Sequence, residues 1–146
     1  MSALPASLTR SENHREDLRI AGYAALFGIA DAAGDVIEST AFDRTLRDGR
    51  EPLPLLWQHH PDQPLGQIKL AQPDHKGLRV IATLDNPHSR AAALLRKRAV
   101  SGLSFGFRAR LFEPRSNGRR LRDIELFEIS VVTHPLQHAA RIHLIG

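Results

Sequence analysis

Regular apolar patterning begins at Leu18. From Ile20 to Phe27 the run Ile20-Ala21-Gly22-Tyr23-Ala24-Ala25-Leu26-Phe27 is apolar on both alternating sides, as in a strand buried on two faces. Residues 31–35, Asp-Ala-Ala-Gly-Asp, read as a turn, and Val36-Ile37 as a short returning strand. Ser39 or Thr40 is placed to cap a short helix through Asp48, which Gly49 stops, with Phe42 and Leu46 four apart on one face. Residues 53–58 are strand-like but carry Pro54, which suits an edge or a strand start. Residues 59–64 read as a loop. Residues 65–70 and 77–84 pattern as a hairpin around Pro73-Asp74-His75-Lys76-Gly77. Asn86 or Ser89 opens the clearest helix, over residues 90–99, and its ending Arg96-Lys97-Arg98 suits the negative pole of a helix dipole. Two long strands follow, over residues 102–112 and 121–133, around a turn at Ser116-Asn117-Gly118. A last short strand covers residues 141–145.

Many strands and two short helices predict a mostly β domain, a closed or nearly closed barrel with peripheral helices. Residues 1–17 are polar and unpatterned and read as a flexible tail, leaving residues 18–146 as one domain. With 42% hydrophobic and 25% charged residues, the composition is that of a folded globular chain rather than a disordered one. Cysteine is missing from the sequence, which excludes disulfides, thiolate metal sites and a cysteine nucleophile. No signal-like segment or membrane-length apolar run is present, so a soluble cytoplasmic chain is expected. The net charge is +4, and basic residues cluster at Arg96-Lys97-Arg98 and from Arg115 to Arg122. Only 5% of residues are aromatic and none interleaves with these arginines as a stacking platform. They read as solvated faces, and nucleic acid is not expected as a partner.

The chemistry candidates start at Ser104. In Gly102-Leu103-Ser104-Phe105-Gly106-Phe107-Arg108, alternation puts Leu103, Phe105 and Phe107 on one face and Ser104 on the other, between two glycines. Either those glycines leave the hydroxyl open to a substrate backbone, or they serve close packing. The residues also spell G-x-S-x-G, yet apolar alternation runs on to Leu111 where a nucleophile elbow needs a helix, so the match is a decoy. A serine nucleophile needs a base, and His59 lies where Leu55-Leu56-Trp57-Gln58 runs out, with His60 as its rival. The third member is a buried acceptor. Glu128 shares a face with Leu126, Ser130 and Val132 in a largely apolar strand, where a carboxylate needs a partner, and Glu125 and Asp123 compete with it. A zinc reading rests on eight histidines, His134, His138 and His143 among them. Pro135 interrupts helical presentation and no H-E-x-x-H motif supports it, so no metal or other cofactor is expected.

Taken in order, these segments resemble the prohead (capsid-maturation) proteases of tailed bacteriophages, distantly similar to the herpesvirus assemblins. The resemblance runs from about Ile20 to Ile142. It is carried by Gly22-Tyr23-Ala24-Ala25-Leu26-Phe27-Gly28, Gly34-Asp35-Val36, Ala41-Phe42, Thr45-Leu46, Leu55-Leu56-Trp57-Gln58-His59 and Pro64-Leu65-Gly66. It continues in Gly102-Leu103-Ser104-Phe105-Gly106-Phe107, Glu128-Ile129-Ser130-Val131-Val132-Thr133, Pro135 and Ala139-Ala140-Arg141. The resemblance implies an assemblin-like barrel and places the family's histidine on His59, its serine on Ser104 and a carboxylate third member on Glu128. It further implies a serine endopeptidase that cleaves major capsid precursor or scaffold protein inside the immature capsid of a phage, prophage or gene transfer agent. A homodimer, or activity switched on only within the shell, is part of the same expectation. Many members carry a C-terminal extension removed by self-cleavage; this chain stops at Gly146 and reads as a minimal version. The rival reading is a non-enzymatic capsid-assembly or nucleic-acid-binding barrel of the same fold.

Overall fold

The computed structural model describes residues 18–49 and 52–146; the tail expected over residues 1–17 lies outside the described residues. Among these, eight strands and two helices follow in order. They are β1 (Leu18–Leu26), β2 (Val36–Ile37), α1 (Asp43–Asp48), β3 (Pro54–Trp57) and β4 (His60–Pro73), then β5 (Gly77–Leu84), α2 (Arg90–Arg96), β6 (Gly102–Arg115), β7 (Gly118–Val132) and β8 (Ile142–Ile145). All strands join one sheet. β3, β4, β5, β1 and β8 pair successively antiparallel, while β7 takes β2 and β3 as parallel neighbours and β6 as an antiparallel one.

The sheet is not a closed barrel, which corrects that part of the expectation. An isolated bridge, Gly102 with Arg141, and the bonds Leu103 N to Ala140 O and Ile142 N to Ser101 O join its two ends at the start of β6. β8 is four residues long and β6 fourteen, so no ladder can run the length of that seam. Inside the curved sheet, Ile20, Val80, Leu84, Leu55, Leu103, Ile129 and Val131 form one buried cluster. Phe42, fully buried just before α1, meets Phe105 edge to face at 5.4 Å between centroids. Burying each such side chain contributes on the order of 1.5–3 kcal/mol, and this cluster is the rigid base on which the outer face is built.

Several elements depart from the sequence pattern for local reasons. α2 is capped by Ser89, whose Oγ accepts from Ala92 N, but it ends at Arg96 rather than Ala99. Arg98 takes a left-handed φ of 59°, and Ala99 N and Arg98 N close back on Leu94 O and Leu95 O. That is a Schellman stop without the usual glycine. β2 pairs in parallel with β7 rather than returning along β1. Residues 60–64 belong to β4 instead of a loop. Trp57 pairs with His60 and Leu56 with Pro64, so residues 61–63 bulge outward where β4 has only β3 beside it, a place that tolerates Pro61 and Pro64. A second bulge lies in β7. Gly106 faces Glu128 while Phe107 faces Leu126, leaving Phe127 as the extra residue, 51% exposed. Leu126 therefore joins the core cluster rather than sharing the face of Glu128, and its N–H donates to Thr45 Oγ1 at 3.0 Å.

Candidate active site

β6 and β7 set out the site by register. Ser104 stands directly opposite Ser130, Gly106 opposite Glu128 and Gly102 opposite Val132. These positions turn away from the core side chains Leu103, Ile129 and Val131. A Cβ on Gly106 would come within 2.3 Å of Glu128 Oε1, and one on Gly102 within 2.8 Å of Pro135 Cδ. The glycines flanking Ser104 thus make room for protein groups, the Glu128 carboxylate above all, rather than for a substrate backbone.

His59 arrives from the other side of β7. The β3–β4 turn has Gln58 at φ 51° and His59 at φ 63°, two successive left-handed residues between the paired Trp57 and His60. This matches the twist of a type I′ hairpin, a conformation usually reserved for asparagine and glycine. Side chains that do not favour it are held there by bonds to β7 and its exit. Gln58 N donates to Val131 O at 2.9 Å, and Gln58 Nε2 to Thr133 Oγ1 at 2.6 Å. Thr133 N donates to Gln58 Oε1 at 3.2 Å, and His59 N to Ser130 Oγ at 3.1 Å.

So fixed, the imidazole meets Glu128 with Nδ1 2.5 Å from Oε1, and the other carboxylate oxygen accepts from Ser130 Oγ at 2.6 Å. The Glu128 side chain is 12% exposed and that of His59 42%, so a nearly buried acid holds a ring open to solvent. An ionised carboxylate only accepts. In the neutral ring the proton therefore sits on Nδ1, and Nε2 keeps its lone pair. Ser104 is 8% exposed, and its hydroxyl has no hydrogen-bond partner among the described residues. No fully shielded side-chain oxygen among them lacks a partner, so this one reaches solvent. The structure thus joins His59 to Glu128 and places Ser104 one non-adjacent ladder position away, two residues or about 7 Å along the strand. No bond between Ser104 and His59 is present among the described residues.

The competing candidates are engaged elsewhere. His60 Nδ1 pairs with Gln63, Glu125 with Arg108 and Arg110, and Asp123 with Arg44. Much of the basic charge is likewise occupied. Arg98 donates to the carbonyls of Ile142 and His143, Arg119 to Asp35, and Arg122 to Glu113. Among the described residues no three histidines or carboxylates are grouped to hold a metal ion, and no helix is long and apolar enough to cross a membrane. Sequence reasoning missed the parts played by Gln58 and Thr133 and saw Ser130 only as a neighbour on one face. The available signal was a serine inside Ile129-Ser130-Val131-Val132, where a buried hydroxyl must find partners.

The fold is one used by viral proteases. The Kaposi's sarcoma-associated herpesvirus (KSHV) protease, solved with a hexapeptide phosphonate inhibitor, superimposes with a TM-score of 0.60 at 13% identity, over 89% of this chain and 65% of that one. The bacteriophage T4 capsid assembly protease does so with a TM-score of 0.62 at 14% identity, over 78% and 80%. The chain belongs to the caudovirus prohead serine protease family, whose pattern matches residues 6–145. It is 33% identical to the prohead protease of Enterobacteria phage HK97 over 128 residues, 83% of this chain and 57% of that protein. It is 36% identical to the capsid polyprotein of Pseudomonas phage PAJU2 over 102 residues, 62% of this chain and 15% of the polyprotein. The chain thus spans less than two thirds of the length of either relative.

Proposed function

We propose that this chain is a serine endopeptidase that cleaves major capsid precursor or scaffold protein during prohead maturation. The observation that carries the reading is the His59–Glu128 pair at 2.5 Å, held over the outer face of the strand next to the one bearing the solvent-reaching hydroxyl of Ser104. Family membership supports the enzyme class, and the capsid polyprotein among its relatives supports the substrate class. Ser104 Oγ attacks the scissile carbonyl carbon as His59 Nε2 takes the hydroxyl proton. The C–N bond breaks, the same proton passes to the leaving amine, and the acyl group stays as an ester on Ser104. Water then gives its proton to Nε2 and its oxygen to the acyl carbon, releasing the new carboxyl terminus and restoring the hydroxyl. Glu128 holds Nδ1–H throughout and stabilises the imidazolium. Substrate binding closes the distance between Oγ and Nε2, since such bonds are often long in empty sites. The reaction takes place inside the immature capsid, by a homodimer or by a chain switched on within the shell.

The test is co-expression with the neighbouring capsid precursor, wild type beside Ser104→Ala, followed by intact masses of both proteins. Trimming by wild type alone supports the reading. Trimming by both, with host proteases excluded, removes Ser104 from the mechanism. A wild type that neither trims the precursor nor takes a fluorophosphonate on Ser104 is the non-enzymatic barrel.

A further inference from the structure

We propose that Ser130 is a positioning residue of this site, one hydroxyl that fixes the acid and the base together. The inference rests on the roles given above to His59 and Glu128 and adds the group that sets their geometry. Ser130 is fully buried. Its Oγ touches both partners: His59 N donates to it at 3.1 Å, and it donates to Glu128 Oε2 at 2.6 Å. The direction of these bonds follows from chemistry. A backbone N–H can only donate and a carboxylate can only accept, so the single hydroxyl proton goes to Glu128. With the bond from Nδ1 to Oε1, three hydrogen bonds close a loop through the His59 backbone, the Ser130 hydroxyl, the Glu128 carboxylate and the His59 ring.

That loop matters because Ser130 is fixed in β7 while the His59 turn and the Glu128 side chain each have other arrangements open to them. A left-handed conformation is unfavourable for side chains like these, so the Gln58–His59 turn relaxes if its anchors go. The Gln58–Thr133 bonds hold one corner of the turn, and Ser130 holds the corner carrying the imidazole. Glu128 has three rotatable bonds, and its carboxylate plane is set only by bonding both oxygens. Ser130 also stands opposite Ser104 in the ladder, so the group that orients the pair is in fixed register with the nucleophile. A serine kept only for packing would not need to bond both members of the pair, and its neighbours Ile129, Val131 and Val132 are apolar.

The experiment is a double-mutant cycle of Ser130→Ala and Glu128→Gln, read as the rate at which a fluorophosphonate phosphonylates Ser104 with loss of fluoride, and thermal melts are run alongside. Misplacing a catalytic group by about an ångström costs up to about 100-fold, so Ser130→Ala is expected to slow this labelling about 10- to 100-fold. If Ser130 acts through Glu128, that loss largely vanishes in the Glu128→Gln background. The downfield ring-proton resonance of His59 Nδ1–H should also move or broaden in Ser130→Ala while the rest of the spectrum keeps its dispersion. Ser130→Cys fills the same volume with a weak donor. It should fall between wild type and alanine, and it replaces alanine in the cycle if the alanine variant does not fold. A rate within twofold of wild type in the serine variants overturns the proposal. So does a loss that simply adds to that of Glu128→Gln, which is the mark of a structural serine. If Glu128→Gln itself leaves the rate unchanged, the fault lies with the acid–base assignment beneath the proposal, and the two failures are told apart.

Discussion

Asp35 and Glu128 are both largely buried carboxylates, and each ties a loop to β7. Asp35 takes three donors from one residue, the backbone N–H, Nε and Nη2 of Arg119, at 3.0, 3.2 and 2.8 Å. Its bonds push the guanidinium further up from an already high value, and Arg119 also lies over the Phe112 ring at 5.2 Å. A partner that cannot give up its proton makes a clamp and nothing more. Glu128 takes two donors from two residues, one of them an imidazole that carries a second ring nitrogen. Similar burial thus gives a fastener at Asp35 and, on the proposed function, a proton relay at Glu128. What separates them is the chemistry of the partner: a guanidinium has only donors, whereas an imidazole has a second nitrogen that can accept.

The largest effect expected is at the proposed relay. Glu128→Gln keeps the shape but offers the ring the wrong charge, and it should slow fluorophosphonate labelling of Ser104 about 1,000- to 10,000-fold, as removing the orienting acid does in such triads. The melting temperature should move little, and Asp35→Asn should leave the rate within about twofold. Next comes the clamp itself. Asp35→Ala removes two hydrogen bonds from a partly exposed guanidinium and one from a backbone N–H, and should lower the unfolding free energy by about 2–3 kcal/mol in urea titration, with activity of the folded fraction intact. Gly106→Ala sharpens the contrast, because its new Cβ lands 2.3 Å from Glu128 Oε1 while both oxygens are bonded. It should slow fluorophosphonate labelling about 10- to 30-fold with a small change in stability, since an ångström-scale shift of the carboxylate is enough.

The smallest effect lies outside both regions. The Tyr23 hydroxyl, donating to Asp74, holds that carboxyl below the usual range, and the same bond pushes the Tyr23 hydroxyl up. A depressed acid contributes stability above its unfolded pKa and loses it as pH falls through the folded value. A raised phenol contributes below its unfolded pKa and loses it as pH rises through the folded value. The difference in melting temperature between wild type and Tyr23→Phe should therefore be flat near neutrality and shrink at both extremes of pH.

What the sequence disclosed and what it hid divide along the same line, local chemistry against distant pairing. Alternation about Ser104 correctly sorted Leu103, Phe105 and Phe107 onto the core side, and Ser89 and Gly118 marked a helix start and a turn. The end of α2 was hidden because Arg98 occupies a position where glycine is the usual sign. The bulge at Phe127 carries no glycine or proline to announce it, so simple alternation put Leu126 on the wrong face. Strand count does not separate a closed sheet from a nearly closed one, because it says nothing of the mismatch between β6 and β8. Gln58, Thr133 and Ser130 could not be read as a set. Their contacts depend on the parallel register of β3 on β7, which no local pattern encodes.

The turn that carries His59 is anchored by side chains that lie 69 to 75 residues later in the chain. A ribosome that has reached Asn117 has already made His59 and Ser104, but neither Glu128 nor Ser130. Until β7 emerges and slots between β3 and β6, the anchors of that turn do not exist and nothing holds its two left-handed residues. The placement of His59 is therefore among the last features of the chain to be set as it is made.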